Sequence, residues 1–297
     1  MKRYLPIYPI ELITFIWIAI TSCFILLFPS AIRETTTANL LLTRLYILLG
    51  FGAVMLLHRI TGWQIFIYVR QLCPILFIMY WYPETYYYNQ AFFSDIDKYL
   101  IATDQWICGC QPSTLFSESW MPQAWFNELM NFAYMSFFLA LILVHLYFLK
   151  VDTQRAFFAS FVLLSSFLLF YAFYIFLPAG GPQFYVFNHD TALPTEGPMR
   201  RILLWLHSKG ERPTGAVPSS HIGLMMTYMI LLWRHARKFF YWLLPFSILL
   251  ALSTVYIKAH YVIDVITGAA LAFPFYFIST WLLKTFNRWL QPMTKTL

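Results

Sequence analysis

The sequence predicts an all-α protein, a polytopic transmembrane helical bundle with about eight spans. Three observations predict it. Hydrophobic residues make up 60% of the 297 positions, and aromatics alone make up 21%. Charged residues make up 11%, against roughly a quarter in an average soluble chain. The apolar residues also gather in runs near the ~20 that cross a hydrocarbon core. Lipid-exposed backbone must satisfy its own hydrogen bonds, so such runs are helices. The short alternating segments of a membrane β-barrel do not occur in this sequence.

The first span covers about 10–29, behind the basic Lys2-Arg3. No small-residue cleavage site follows it, so it reads as a span rather than a removable signal. The second and third cover about 39–57 and 64–82. A long connection at about 83–126 follows, rich in Tyr and Trp, with Glu84, Asp95, Asp97, Asp104 and Glu118. Aromatics of this kind settle at the membrane–water interface. The fourth and fifth spans cover about 127–149 and 155–178. A second long connection, about 179–217, holds Gly180-Gly181-Pro182 and the cations Arg200, Arg201, Lys209 and Arg212. The last three spans cover about 219–234, 239–257 and 261–283, the first of them the shortest. Long connections in compact proteins are usually functional. No internal repeat stands out.

Net charge is +7, from 20 Lys+Arg against 13 Asp+Glu. The basic residues are scattered, without the patch or stripe of a nucleic-acid binder, so no nucleic-acid partner is expected. With the N-terminus cytoplasmic, eleven cations fall on the cytoplasmic side: Lys2, Arg3, Arg59, Lys150, Arg155, Arg234, Arg237, Lys238, Lys284, Arg288 and Lys295. Seven fall outside: Arg33, Lys98, Arg200, Arg201, Lys209, Arg212 and Lys258. The bias favours both termini inside. Four of the outer seven sit in one connection. Four cysteines (Cys23, Cys73, Cys108, Cys110) are too few for a disulfide scaffold. The lone Cys108-Gly-Cys110 lacks the partners of a metal site. No metal and no cofactor are expected.

Two histidines stand where a span begins on the outer surface. His221 follows Pro218-Ser219-Ser220, and His260 precedes Asp264 by four residues. Residues i and i+4 share a helix face, so Asp264 can accept a hydrogen bond from one ring nitrogen of His260. That fixes the tautomer and leaves the other nitrogen free to attack. An Asp inside a span is costly and needs a partner. Two histidines, a carboxylate and a basic cluster on one surface suit phosphoryl transfer: one His attacks, the other protonates the departing oxygen, and cations balance charge. The plain reading of His58, His145, His189, His207 and His235 is interfacial or hydrogen-bonded. Glu11 and Arg44, near span ends, read as snorkelling. Arg70 and Glu128 lie deeper and pair or line a cavity. Aromatic runs such as Phe239-Phe240-Tyr241-Trp242, beside Arg234, Arg237 and Lys238, read as packing and interface anchoring.

These residues resemble the type 2 phosphatidic acid phosphatase superfamily. Pro218-Ser219-Ser220-His221 is similar to its Pro-Ser-Gly-His element, with Ser220 for Gly. Ser253-Thr254, five residues, His260, three residues and Asp264 are similar to its last element, with Thr254 where the family has Arg. The family's first, basic element is replaced by Phe176-Leu177-Pro178-Ala179-Gly180-Gly181-Pro182. That pattern is similar to the branch containing inositol phosphorylceramide synthases. Gly215-Ala216-Val217-Pro218-Ser219-Ser220-His221 and His260-Tyr261-Val262-Ile263-Asp264 fit it, and Asp104 with Gly109, Gln111 and Pro112 fits more loosely. The resemblance covers roughly 95–285.

The resemblance implies a six-helix catalytic core within residues 63–297, behind two added helices in 1–62. It implies a multi-pass membrane enzyme, a phosphatase or a phosphotransferase, acting on a phospholipid or lipid phosphate at the non-cytoplasmic face. His260 would be the nucleophile, Asp264 its orienting acid and His221 the general acid. Ser219 and Ser220, at a helix N-terminus, would hold phosphate oxygens. The resemblance does not say which cations replace the missing ones; Arg200, Arg201, Lys209, Arg212 and Lys258 are the candidates, with Lys258 and Arg212 first for their proximity to the motifs. The opposing class is a transporter or non-catalytic membrane protein that uses His260 and Asp264 as a proton relay. Inverted repeats would favour it.

Overall fold

A computed structural model describes residues 7–187 and 197–290. Lys2, Arg3, His189 and Lys295 lie outside the described residues. No strand occurs among them, and the chain is a succession of helices. α1 (Pro9–Leu27) and α2 (Thr37–Thr61) come first. Thr36 caps α2 by accepting from the Asn39 N–H at 3.2 Å, and Gly62 ends it in the left-handed conformation. The expected third span is broken. α3 (Ile65–Leu72) and α4 (Ile78–Thr85) are separated by a 3-10 turn at Cys73–Phe77. Pro74 lacks an amide hydrogen and cannot continue the α ladder.

The first long connection folds as α5 (Asp97–Cys108) and α6 (Pro112–Trp120). α7 (Ala124–Val151) and α8 (Thr153–Phe176) are long spans joined tightly at Asp152, whose carboxylate accepts from the Gln154 N–H at 2.9 Å. The second long connection carries the short α9 (Pro182–Tyr185) and α10 (Pro198–His207). The chain ends with α11 (Ser220–His235), α12 (Arg237–Tyr256) and α13 (Val262–Leu290).

Seven of these helical segments are long and apolar enough to cross a membrane. The remaining expected span, the sixth, is α11, which has 16 residues. At 1.5 Å per residue it measures about 24 Å, short of the ~30 Å hydrocarbon core. It is short because it starts inside the protein: Thr214 to Ser220, which lead into it, are all buried. α8 is the hub, with 78% of its most apolar window buried, and it packs against α1, α3, α4, α7, α11 and α13. Successive spans reverse direction. The two long connections and the starts of α11 and α13 therefore share one end of the bundle.

Two charged residues expected to snorkel are instead fully buried. Glu11 takes Arg70 Nε at 2.6 Å and Nη2 at 2.7 Å. Arg44 binds Glu84 through Nη1 at 2.7 Å and Nη2 at 2.8 Å. Side-chain exposure in both pairs is 2% or less. Snorkelling fails because neighbouring spans, not lipid headgroups, lie beside these residues. A charge held away from water is stable only with a partner of good geometry. His58 joins the Arg70 group at 3.2 Å. Arg70 thus pairs, as its depth suggested. In the aromatic run Tyr241 and Trp242 are exposed, and Arg237 lies 4.7 Å from the Trp233 ring.

Glu84→Gln leaves Arg44 buried beside a neutral partner. Unfolding in detergent should show a loss of about 3–5 kcal/mol. The double change Arg44→Met with Glu84→Met should recover much of it. An unchanged Tm in Glu84→Gln would exclude the pair as a structural clamp.

Candidate functional site

Backbone contacts build the site before any side chain enters it. The turn after α8 is clamped from α5: the Asp97 carboxylate accepts from Gly180 N–H at 2.7 Å and Gly181 N–H at 2.8 Å. The same carboxylate accepts from the Tyr261 hydroxyl at 2.9 Å. Burial, with Asp95 alongside, pushes the Asp97 carboxyl up to about 7, against the pull of the Gly180 N–H and the Tyr261 hydroxyl. Gly181 has φ +85°, and a Cβ there would lie 2.5 Å from the Ala259 carbonyl oxygen. Only glycine fits. α5 reaches further through Asp104, which accepts from Val262 N–H at 2.9 Å and Ile263 N–H at 3.0 Å. A carboxylate on the first turn of α13 is favoured by the helix dipole. Burial raises the Asp104 carboxyl, opposed by those two N–H groups.

α11 and α13 meet backbone to backbone. The Ser219 N–H donates to the Asp264 carbonyl at 3.0 Å. Gly268 presents no side chain here: a Cβ would stand 2.3 Å from the Ser219 carbonyl oxygen. Ser219 Oγ caps α11 by accepting from Ile222 N–H at 3.5 Å. Ser220 N–H donates to the Tyr174 hydroxyl at 3.1 Å, which in turn donates to the Pro218 carbonyl at 3.0 Å.

This scaffold brings the two histidines together. His260 Nε2 lies 3.4 Å from His221 Nδ1. His260 Nδ1 lies 2.8 Å from the Ala216 carbonyl oxygen. A carbonyl can only accept, so Nδ1 carries the proton and the neutral ring offers its Nε2 lone pair toward His221. The expected hydrogen bond to Asp264 is replaced. Asp264 Oδ2 is 3.6 Å from Nδ1, within ion-pair range but beyond a hydrogen bond. Oδ2 accepts instead from Tyr261 N–H at 2.8 Å. The reason is local: α13 starts at Val262, so His260 precedes the helix and the i, i+4 rule does not govern it. Asp264 is fully buried, and its Oδ1 has no hydrogen-bond partner among the described residues. The arrangement presents a ring nitrogen with a lone pair, a second imidazole beside it and a buried carboxylate behind.

The expected cations are elsewhere. Arg212 pairs with Glu34 at 3.7 Å and lies over the Tyr86 and Tyr87 rings. Arg200 is buried on α10, where its N–H and that of Met199 donate to Glu128. Glu128 is thus a helix cap. Arg201 is exposed on α10. Lys258 has φ +68°, and its buried Nζ lies 3.6 Å from the Phe187 ring centre. Burial lowers its pKa. None of the four lines the pocket around the histidine pair. Thr254, where the resemblance places Arg, is buried, and its carbonyl closes the end of α12 by accepting from Ala259 and His260 N–H groups at 3.1 Å.

Other residues, absent from the expected set, line the pocket. Glu211 and Gln183 line the histidine pocket, with Tyr82 and Tyr134. Gln183 Nε2 donates to Glu211 at 2.5 Å. The Nδ1 of His207, a histidine expected to be interfacial, lies 2.5 Å from the other carboxylate oxygen, at ion-pair distance. His221 sits 4.8 Å, centre to centre, from both Tyr134 and Phe137. One signal was available: Glu211 is an acid inside an otherwise basic stretch, Arg200 to Arg212.

A family model described as the PAP2 superfamily matches residues 98–278, from the start of α5 to within α13. α1 to α4 lie outside the match. No curated protein and no solved structure matches the chain.

In an ordinary helix Gly→Ala stabilises by about 1 kcal/mol. Gly268→Ala should do the reverse, because its Cβ strikes the Ser219 carbonyl. Thermal unfolding in detergent would read this as a lowered Tm. A raised or unchanged Tm would show that the close approach is not required.

Proposed function

Since the chain belongs to the PAP2 superfamily, whose members are generally phosphatases, we propose that the histidine pair is a phosphoryl-transfer centre for a lipid phosphate ester. The observation that carries this reading is the 3.4 Å contact between His260 Nε2 and His221 Nδ1, with His260 Nδ1 committed to the Ala216 carbonyl. A nucleophile needs a free lone pair beside a group that can move a proton.

In the first step His260 Nε2 attacks phosphorus. The Nε2–P bond forms as the P–O bond to the leaving group breaks, and His221 gives the leaving oxygen a proton. The proposed phosphohistidine carries positive charge on its ring, which Asp264 stabilises from 3.6 Å. Phosphorus and the leaving oxygen lie between the two rings, so substrate entry parts their contact. In the second step a hydroxyl oxygen attacks phosphorus, His221 takes its proton, and the Nε2–P bond breaks. Water as acceptor makes the protein a phosphatase. A lipid alcohol such as ceramide or diacylglycerol makes it a phosphotransferase.

Resemblance to the inositol phosphorylceramide synthase branch favours transfer. Its support is the Gly-Gly-Pro turn, which occupies the position of the family's basic element and is clamped by Asp97. Ser219 and Ser220 contribute through the positive N-terminal end of α11. Their own N–H groups are already committed to Asp264 and Tyr174. The charge bias of the connections supports a site on the non-cytoplasmic face. A reporter fused after Lys295 should then read out inside the cell, and an external signal would reverse the orientation.

Purified protein offered phosphatidic acid, or phosphatidylinositol with ceramide, should turn over at least one of them. His260→Ala should fall to background. His221→Ala should lose about 10²–10⁴-fold, the usual contribution of a general acid. Full turnover by His260→Ala would remove it as nucleophile.

A further inference from the structure

The pocket around the histidines holds an acid where a phosphate site ordinarily collects bases. Its described lining includes no Lys or Arg, and Glu211 is its one carboxylate. That carboxylate is fixed in place. Gln183 donates to one oxygen at 2.5 Å, and His207 Nδ1 lies 2.5 Å from the other, at ion-pair distance. The groups around it come from several elements: Gln183 on α9, His207 on α10, Tyr134 on α7, Tyr82 on α4, and the histidine pair itself. A phosphate entering this pocket meets a like charge, and repulsion grows in proportion to the charge the substrate carries. A phosphomonoester approaches a dianion at neutral pH, since its second pKa is about 6. A phosphodiester carries a single charge.

A second observation concerns room. Glu211 also borders a larger cavity of about 610 Å³. Its polar lining includes Tyr80, Tyr87, Ser208, Lys209 and Arg212, with Glu84, which Arg44 neutralises. A monoester has no second substituent to place there. A diester has one, and this lining suits a polar group.

We propose that Glu211 is a specificity-determining residue, selecting a phosphodiester monoanion over a phosphomonoester dianion, with the diester's polar substituent in the adjoining cavity. The proposal rests on reading the histidine pair as a phosphoryl-transfer centre. His260 Nε2 attacks the diester phosphorus, one ester P–O bond breaks, and the departing alcohol takes its proton from His221. The remaining phosphoryl ester then passes to an acceptor hydroxyl, whose proton returns to His221.

The test uses the full-length protein in mixed micelles, with phosphatidic acid as monoester and phosphatidylinositol or phosphatidylglycerol as diester, each with and without ceramide. Diacylglycerol release is a common readout. At about pH 7.5 the wild type should favour a diester in kcat/KM by about tenfold or more, and Glu211→Gln should narrow that ratio by about tenfold, mainly by raising monoester turnover. Glu211→Asp should keep the preference. A wild type that favours the monoester, or a ratio unmoved in Glu211→Gln while release still depends on His260, overturns the role of Glu211 alone. No release from any lipid, or release that survives His260→Ala, overturns the phosphoryl-transfer reading and this inference with it. Should Glu211→Gln fail to fold, the wild type still decides. Between about pH 7.5 and 5 the monoester loses its second charge, so the preference should narrow. A preference constant with pH would overturn the proposal.

Discussion

Everything at the site depends on one backbone contact, where the start of α11 touches the first turns of α13. The Ser219 N–H donates to the Asp264 carbonyl at 3.0 Å, and Gly268 leaves room for the Ser219 carbonyl. Gly223 does the same on the α8 side, where a Cβ would stand 2.0 Å from the Phe170 ring. Small residues let helices approach closely in a membrane, where packing rather than water drives association. Once α11 and α13 are that close, His221 and His260 fall into contact across 39 residues of sequence. The buried turn at Ala216 then supplies the carbonyl that orders the His260 ring.

The sparse charges follow one economy of use. Few charged side chains are available, and the buried ones work in pairs or as braces. Arg44–Glu84 and Arg70–Glu11 lock the first four helical segments. Asp97 and Asp104, both on α5, brace the Gly180-Gly181 turn and the start of α13. Glu128 caps α10. A carboxylate that accepts two backbone N–H groups fixes both the position and the direction of a segment. Precision at the site thus comes from acids that do not touch its pocket, Asp97 and Asp104, and from one that does, Glu211.

Much of this was legible in the sequence, because the spans are local patterns. Apolar runs placed seven of the helical segments, and the two histidine motifs marked the end of the bundle where the chain's long connections gather. What escaped were contacts between distant residues. Asp97 lies 83 residues from Gly180 and 164 from Tyr261, and no periodicity records such a meeting. The His260–Asp264 spacing matches a helical repeat, yet the helix starts only at Val262. In the Arg200 to Arg212 segment the cations are close in sequence only. In the fold these residues point to different partners, and Glu211 is the one that faces the pocket.

In the proposed mechanism His260 attacks through Nε2 because Nδ1 is held by the Ala216 carbonyl. The most direct measurement is the chemical identity of the trapped intermediate. Protein mixed briefly with a lipid labelled at phosphorus, then quenched in alkali and digested, should yield label on the peptide containing His260. Magnetic resonance of that peptide should assign the phosphorus to Nε2. Label on Nδ1, on His221, or on no histidine at all would contradict the account.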